Sequence, residues 1–478
     1  MRSLATLVAL AFAAPALIMA QSLATLVNQP PAGCGLAFQL TDGRVMCQAN
    51  NDHDWYILTP DQSGNYVNGT WTQAASLPSG YDPDAFSSAV LADGRLVVAG
   101  GEYNYGTFVL TNKAAIYDPV QNTWTALGHP SGWANIGDSP SVVLPNGYFL
   151  IGDKLNMNMA FLNPATLKWT VVGSTGKSDF FAEEGWTLMP DGTILTADVL
   201  NEPNSERYFP STQTWVSQGS TIVDLAAPST SGPISYPGGV YDPPGEIGPA
   251  ILRPDGTVFA TGASNSGAAH TAVYHPGPTS TSEGTWTVGP DFPNNDSAGD
   301  SSAALLTSGN VLVLGLRGTL YEFDGTNLTA TLRPARAGYL MLLPTGQVIL
   351  TGGRIQVYNS TGTYSPSWAP AITSYPSTVV RGTTYTISGK QFNGLSQAAA
   401  VGDEFQTATN YPLVRITNTG TGHVFYARTH NHSSMGVATG NKTISTSFDV
   451  PATMDTGAAT LEVVANGIPS PAVNITVN

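Results

Sequence analysis

A glycine turn between two apolar runs recurs along this chain, as LTDGRVM, LADGRLVVAGG, LPNGYFLIGD, LMPDGTILTAD, LRPDGTVFATG, LTSGNVLVLG and LPTGQVILTGG. The turn glycines are Gly43, Gly94, Gly147, Gly192, Gly256, Gly309 and Gly346. Asp-Gly or Asn-Gly between apolar segments favours a hairpin, because both residues tolerate the positive φ such turns need. Most copies continue with an aromatic-containing strand and a turn into Thr-Trp or Lys-Trp, as in AAIYDPVQNTWT, AFLNPATLKWT, ERYFPSTQTWV and AVYHPGPTSTSEGTWT. Each copy therefore predicts four antiparallel strands. Seven copies, 37 to 64 residues apart, predict a β-propeller whose blades surround a central channel. The sixth copy ends in YEFDGTNLTATL and lacks the tryptophan. The repeated glycines and aromatics read as turn formers and inter-blade packing rather than as catalytic groups.

After TYSPSWAPAITSYPSTV the blade pattern stops. A Pro-rich joint leads into the alternating patterns VVRGTTYTISGKQFNG and GAATLEVVANGIPSPAVNITV, which predict an immunoglobulin-like β-sandwich. The expected fold class is all-β. The opening MRSLATLVALAFAAPALIMAQS places Arg2 before an apolar run that ends in small residues, the pattern of a secretory signal cut after Ala20. The expected division is a signal peptide over 1–20, a seven-bladed kelch-like propeller over 21–365 and an immunoglobulin-like domain over 366–478. The hexamer SLATLV occurs at Ser3 and again at Ser22, and the pattern alone gives no reason for it. No later stretch reaches the roughly 18 apolar residues of a spanning helix, so the expectation is an exported protein with no membrane span.

Charged residues are 11% of the chain, with 51 Gly and 34 Pro, in keeping with many tight turns. The formal net charge of −15 repels nucleic acid and anionic membranes, so neutral, cationic or metal partners fit better. Sequons begin at Asn68, Asn295, Asn327, Asn359, Asn431, Asn441 and Asn474, and carry glycans only in a eukaryotic host. Two cysteines, Cys34 and Cys47, suggest a disulfide in a secreted protein.

The scarce acids are not scattered. Nine residues before the turn glycine lie Cys34, Asp138, Glu183 and Asp300, and ten before lie Asp84 and Glu246. Five blades thus place a carboxylate where the innermost strand begins, and these positions gather around the axis at one end of the channel. Glu102, Tyr103, Tyr105, Asp153 and Asp198, from the loops between second and third strands, join the rim. Converging carboxylates repel one another and require a partner. The candidates are calcium held by oxygens, a softer ion that also uses imidazole, or basic groups from elsewhere in the chain. The plainer alternative is that these acids cap the inner strands by bonding loop amides. His53, His129 and His275 sit in turns, and His270 reads as a satisfied loop residue.

Blades of the form DG(R/K)-apolar-GG, YDP and NTW resemble kelch repeats over roughly 30–365. With the C-terminal domain, the chain resembles galactose oxidase and glyoxal oxidase, the copper-radical oxidases. In that family a C-terminal loop enters the channel and delivers a copper-binding histidine from a Thr-His motif. The matching stretch is YPLVRITNTGTGHVFYARTHNHSS, with His430 as counterpart. Cys34 matches the family cysteine that is cross-linked to a ligand tyrosine, which competes with a disulfide. Pairing the hairpin about Gly43 puts Cys47 opposite Gln39 or its neighbour, and the expected distance from Cys34 exceeds the roughly 7 Å a bridge tolerates.

The remaining family positions differ. Ala85 stands where the cross-linked tyrosine belongs, and Arg336 and Ala337 stand in place of a Tyr-His pair; Tyr81 and Tyr339 replace them only if the blade starts are rearranged. Without that tyrosine the resemblance implies no built-in radical. In extended chain His430 and His432 point together, as do Tyr426 and Arg428. A metal set of His430, His432, Cys34, Asp84, Asp138, Glu183, Glu246 and Asp300 suits zinc, copper or manganese better than calcium. Arg428, Tyr426, Glu102, Tyr103, Tyr105 and Arg336 would form the binding face. The bland reading is that Arg428 and the histidines dock the two domains by charge complementarity. The expected function is binding of a divalent metal or an extracellular glycan or small ligand at the channel mouth, without radical oxidase chemistry. The alternatives are a copper-dependent oxidase of carbohydrates or aldehydes with a reorganised ligand set, and an adhesion or matrix protein that uses the propeller as a platform.

Overall fold

The computed structural model describes residues 20–279, 281–402 and 407–478. The expected signal peptide lies almost wholly outside the described residues. The described chain is nearly all β, with two short 3-10 turns at Pro293–Asn295 and Pro366–Trp368. Among the described residues, no helix is long and apolar enough to cross a membrane.

Among the described residues, seven sheets are built on four antiparallel strands each. Their innermost strands are Ala37–Gln39, Ser87–Val90, Ser141–Val143, Thr187–Leu188, Ala250–Leu252, Ser302–Leu305 and Tyr339–Leu342. Every one leads into a repeat glycine, and all seven glycines hold φ between 76° and 88°. The polar residue before the glycine fixes the turn. Asp42, Asp93, Asp191 and Asp255 each accept, through Oδ1, the backbone N–H two residues on, and Asn146 does the same. The kelch-type propeller is the outcome of this repetition.

Outer-strand tryptophans fasten several blades to the one before. Trp124 Nε1 donates to the Ala75 carbonyl at 3.1 Å and its ring lies 5.0 Å from that of Trp55. Trp169 donates to Gly128 O and Trp286 to Ser205 Oγ. A buried indole needs such an acceptor, and neighbouring blades supply it. The second SLATLV also has its explanation: Ser22–Thr25 pairs with Gln356–Asn359 and supplies the outer strand of the last blade, closing the ring.

From Ala371 onward the strands form one curled nine-stranded sheet around a separate apolar core that includes Ile387, Phe392, Val414, Ile416, Phe448 and Leu461. This unit sits on the glycine turns. Thr429 N–H donates to Thr41 O, His432 N–H to Ala92 O and Met435 N–H to Pro145 O. Arg428 Nη2 reaches Asp93 O at 2.8 Å. The turns must stay narrow: a Cβ on Gly43 would stand 2.4 Å from the Tyr426 ring, and one on Gly309 2.8 Å from Trp368.

One stretch of the C-terminal unit leaves it and runs into the channel. Asn393 is anchored below by bonds from Nδ2 to Ser434 O and Gly436 O. Ala399–Val401 then adds as a fifth strand to Ser302–Leu305, and Gly402 N–H donates to Ser301 O. The Gln397 amide oxygen accepts the Leu188 N–H of another inner strand at 2.7 Å. The chain is back at the turns by Tyr411, whose hydroxyl donates to Gln39 O. The segment seen to enter the channel is therefore 393–402, not YPLVRITNTGTGHVFYARTHNHSS, and it contains no histidine.

Replacing Gln397 by Ala leaves the Leu188 N–H without that acceptor in a buried place, a loss of about 1–3 kcal/mol. Thermal unfolding of Gln397→Ala is expected at a clearly lower midpoint, and an unchanged midpoint would show that the plug contact is dispensable.

Candidate functional site at the channel mouth

The inner strands start at the end of the channel opposite the glycine turns, and there the acids meet. Their partner is Lys154, from IGDKL, a residue that the repeat pattern does not single out. Its side chain is fully buried; Nζ pairs with Asp138 Oδ2 and, at 2.6 Å, with Glu183 Oε1. The Tyr241 hydroxyl donates to the same Glu183 oxygen at 2.9 Å, and its ring lies 5.3 Å from Nζ. Burial pushes the Tyr241 phenol well up, so it remains a donor. Glu102 and Asp300 feel the charges of Lys154 and Glu183, and that of Asp84. Glu246 adjoins Asp300 across Gly299, whose added Cβ would lie 3.2 Å from that of Glu246.

Several of these positions carry backbone strain. Ala85, Glu183 and Asp300 take left-handed conformations at φ 50°, 62° and 48°. Each costs on the order of 1 kcal/mol for a residue with a side chain, and such strain gathers at functional sites. Asp300 is open to water in the mouth yet enclosed by protein on its other sides. That enclosure, followed by repulsion from Glu183, pushes its carboxyl up to about 7. Glu102 is also raised, first by burial, with Lys154 opposing.

Two hairpins arch over the acids. Tyr103–Asn104 with Thr107–Phe108 comes from the second blade, and Ile234–Tyr236 with Gly239–Tyr241 from the connection between the fourth and fifth. Phe108 touches Tyr103, Tyr236 and Tyr241, with ring centroids 5.7 to 5.9 Å apart. Tyr105 is exposed, and its hydroxyl accepts the Gly80 N–H. On one side of this roof lies a cavity of about 450 Å³ lined by Gln48, Asn50, Asp52, Asp84, Arg336 and Tyr339. Asp52 is pushed up to about 6, mainly by burial and then by Asp84 and Asp82. On the other lies one of about 400 Å³, bounded by Lys154, Phe180, Leu200 and Tyr241.

Several expected site residues are elsewhere. His430 and His432 lie at the glycine-turn end, separated from the acids by the length of the inner strands. His430 Nε2 is 3.1 Å from Asp449 Oδ1, and Arg428 pairs with the same carboxylate. His432 is buried, with Nδ1 2.8 Å from Thr446 Oγ1, and burial depresses its pKa to about 3. Tyr426 packs on Gly43. The strand ends at His430 and Asn431 turns left-handed at φ 55°, so the expected alternation breaks: His430 meets Asp449 and His432 meets Thr446, on opposite faces of Thr443–Asp449. Cys34 is bonded to Cys47 with Cα atoms 5.7 Å apart. The expected separation was too long because Cys47 pairs with Ala37, two residues nearer to Cys34 than Gln39. His270 bonds Asp291 at 2.8 Å.

Copper of the family type does not fit this mouth. The large cavity is lined where the resemblance would place copper, at Asp84, Arg336 and Ala337, and no histidine lines it. The Cys34 sulfur is consumed in the disulfide, and Arg336 brings a fixed positive charge.

A second acidic cluster lies in the fourth blade. Oxygens of Asp179, Glu184 and Asp198 fall within 4.8 Å of one another, close enough for a cation. Lys177 holds that position: its Nζ pairs with Asp179, with Glu184 at 2.8 Å, with Glu206 at 2.9 Å and with Asp198 at 3.8 Å. Phe181 and Trp215 flank the ammonium at 5.4 and 5.5 Å. Four acids on one lysine cannot all ionise cheaply. Glu184 is raised well above the carboxylate range and Asp198 to about 7, both chiefly by burial.

No family model matches the chain. Kelch-like protein terF of Aspergillus terreus is 26% identical over 132 residues, 27% of this chain and 27% of that protein. N-acetylneuraminate epimerase of Haemophilus influenzae is 28% identical over 151 residues, 31% of this chain and 37% of that protein. The chain thus matches well under half of the length of these curated relatives. Among solved structures, a fungal alcohol oxidase of the AA5 family in complex with copper superposes with a TM-score of 0.52 at 15% identity, over 96% of this chain and all of that one. The shared fold is the kelch-type, galactose-oxidase-like propeller.

The buried charges set two expected outcomes. Lys154→Met strands Asp138 and Glu183, at a cost of about 3–5 kcal/mol; its melting point is expected to fall, and adding Asp138→Asn and Glu183→Gln should restore part of the loss. For Asp198 the folded pKa lies above the unfolded one. Its stabilisation is complete below about pH 4 and is lost as pH rises through about 7. Melting curves of Asp198→Asn between pH 6 and 8 should therefore slope less than wild type, by on the order of 1–3 kcal/mol.

Proposed function

We propose that this galactose-oxidase-like propeller is an extracellular protein that binds a glycan, or a comparable small polyhydroxylated ligand, at its channel mouth and performs no copper-radical oxidation. The observation that carries the reading is the large cavity where family copper would sit. Its walls offer carboxylates, amides and a guanidinium, with no imidazole and no free thiol. Carboxylate oxygens accept sugar hydroxyls, and a cavity of this volume falls in the range of small-ligand sites. The aromatic roof of Tyr103, Phe108, Tyr236 and Tyr241 adds apolar faces beside the polar walls. One matched relative is named for a reaction of a sugar, which supports the ligand class.

The divalent-metal half of the expectation loses ground to Lys154, whose ammonium already sits between two of the acids, Asp138 and Glu183. The reading includes export, with 1–20 as the cleaved signal, 21–365 as the propeller and 366–478 as an immunoglobulin-like unit. The Cys34–Cys47 bridge supports an oxidising compartment.

Peroxide release after copper loading, over a panel of alcohols, sugars and aldehydes, tests the absence of oxidase chemistry. No turnover above the protein-free rate is expected. Sustained turnover would return the protein to the copper oxidases with a reorganised ligand set.

A further inference from the structure

Arg336 carries an inference about the ligand itself. It stands in ARAGYL, immediately before the innermost strand of the last blade, with its side chain exposed at the mouth. The chain has only 18 Lys and Arg together. Most that border acids are paired with them: Arg44 with Asp42, Arg95 with Asp93, Arg207 with Asp191, Arg415 with Glu462. Arg336 makes no hydrogen bond or ion pair with any described residue, although Asp52 and Asp84 line the same cavity. Its guanidinium therefore stays beyond ion-pair reach of both carboxylates, and the cavity between them presents a cation at one wall and acids at the other.

We infer that the ligand is a sugar acid, whose carboxylate is held by Arg336 while its hydroxyls donate to Asp84 and Asp52. This rests on the glycan reading and names the ligand's chemistry. A neutral sugar would satisfy the acids and leave the guanidinium to water. A ligand with an acceptor anion at one end and hydroxyl donors at the other answers both walls. A planar guanidinium binds a carboxylate through two parallel N–H bonds, which a lysine ammonium cannot reproduce. The opposing wall suits donors: burial and the neighbouring Asp84 hold Asp52 nearer neutrality than an ordinary carboxyl, so it repels an anion less. Gln48 is already committed to Asp52 O and Pro83 O, which fixes that wall.

The test is calorimetric titration of the whole secreted protein with tri-galacturonate and, separately, galactotriose. Wild type is expected to bind the acid at least tenfold more tightly. Arg336→Gln should bring the two affinities to within about threefold, and Arg336→Lys should recover only part of the preference. Equal affinities in wild type, or a preference that survives Arg336→Gln, would overturn the assignment to Arg336 and leave the glycan reading standing. Binding of neither trisaccharide by protein with an unaltered melting curve would overturn the glycan reading along with it.

Discussion

A ring of blades leaves a hole on its axis, and the way this protein fills it governs the rest. Inner strands present edge N–H and C=O groups toward the channel, and unpaired groups in a closed interior are costly. The strand Ala399–Val401 pairs with Ser302–Leu305, and Gln397 satisfies Leu188 across the axis. The C-terminal unit is thus bound to the propeller through its core as well as along its base. Because its backbone occupies the channel, the mouth begins above Gly402, beside Asp300.

The two ends of the propeller then divide the work. At the base, seven glycine turns form a narrow platform on which Arg428, Thr429 and Tyr426 rest. At the mouth, the connections that the repeat leaves variable carry the acids, the aromatic roof and Arg336. The same strand therefore leads from a charged start to a tight turn of uniform geometry, as Asp84 to Gly94 and Asp300 to Gly309 do. Acid clustering at the mouth is tolerable because Lys154 lies inside it, and because Asp300 and Glu102 hold protons more tightly than ordinary carboxyls. The Lys177 cluster applies the same solution in the blade interior, where an ammonium takes the place of a metal ion.

The likeness to copper-radical oxidases is one of scaffold. A fold shared at 15% identity says how strands are arranged, and function has to be read from the site. Here the positions that would hold copper have become a disulfide, an alanine and an arginine. Those positions leave a cavity with Arg336 on its lining and the carboxylates of Asp52 and Asp84 beside it.

The sequence by itself determined what depends on short-range periodicity. Asp-Gly turns, alternating apolar strands and Thr-Trp edges specify each blade locally, so the propeller and the convergence of Asp84, Asp138, Glu183, Glu246 and Asp300 were legible. Even the departures at Ala85, Arg336 and Ala337 could be counted off the repeat. Only the tertiary structure decided which distant segments meet. That His430 meets Asp449 rather than Asp300, that 393–402 enters the channel, that Cys47 reaches Cys34, and that Lys154 pairs with Asp138 and Glu183 are all contacts between residues whose spacing obeys no repeat. The physical reason is that strand geometry fixes neighbours two residues apart, whereas docking is chosen by shape and hydrogen bonding over whole surfaces.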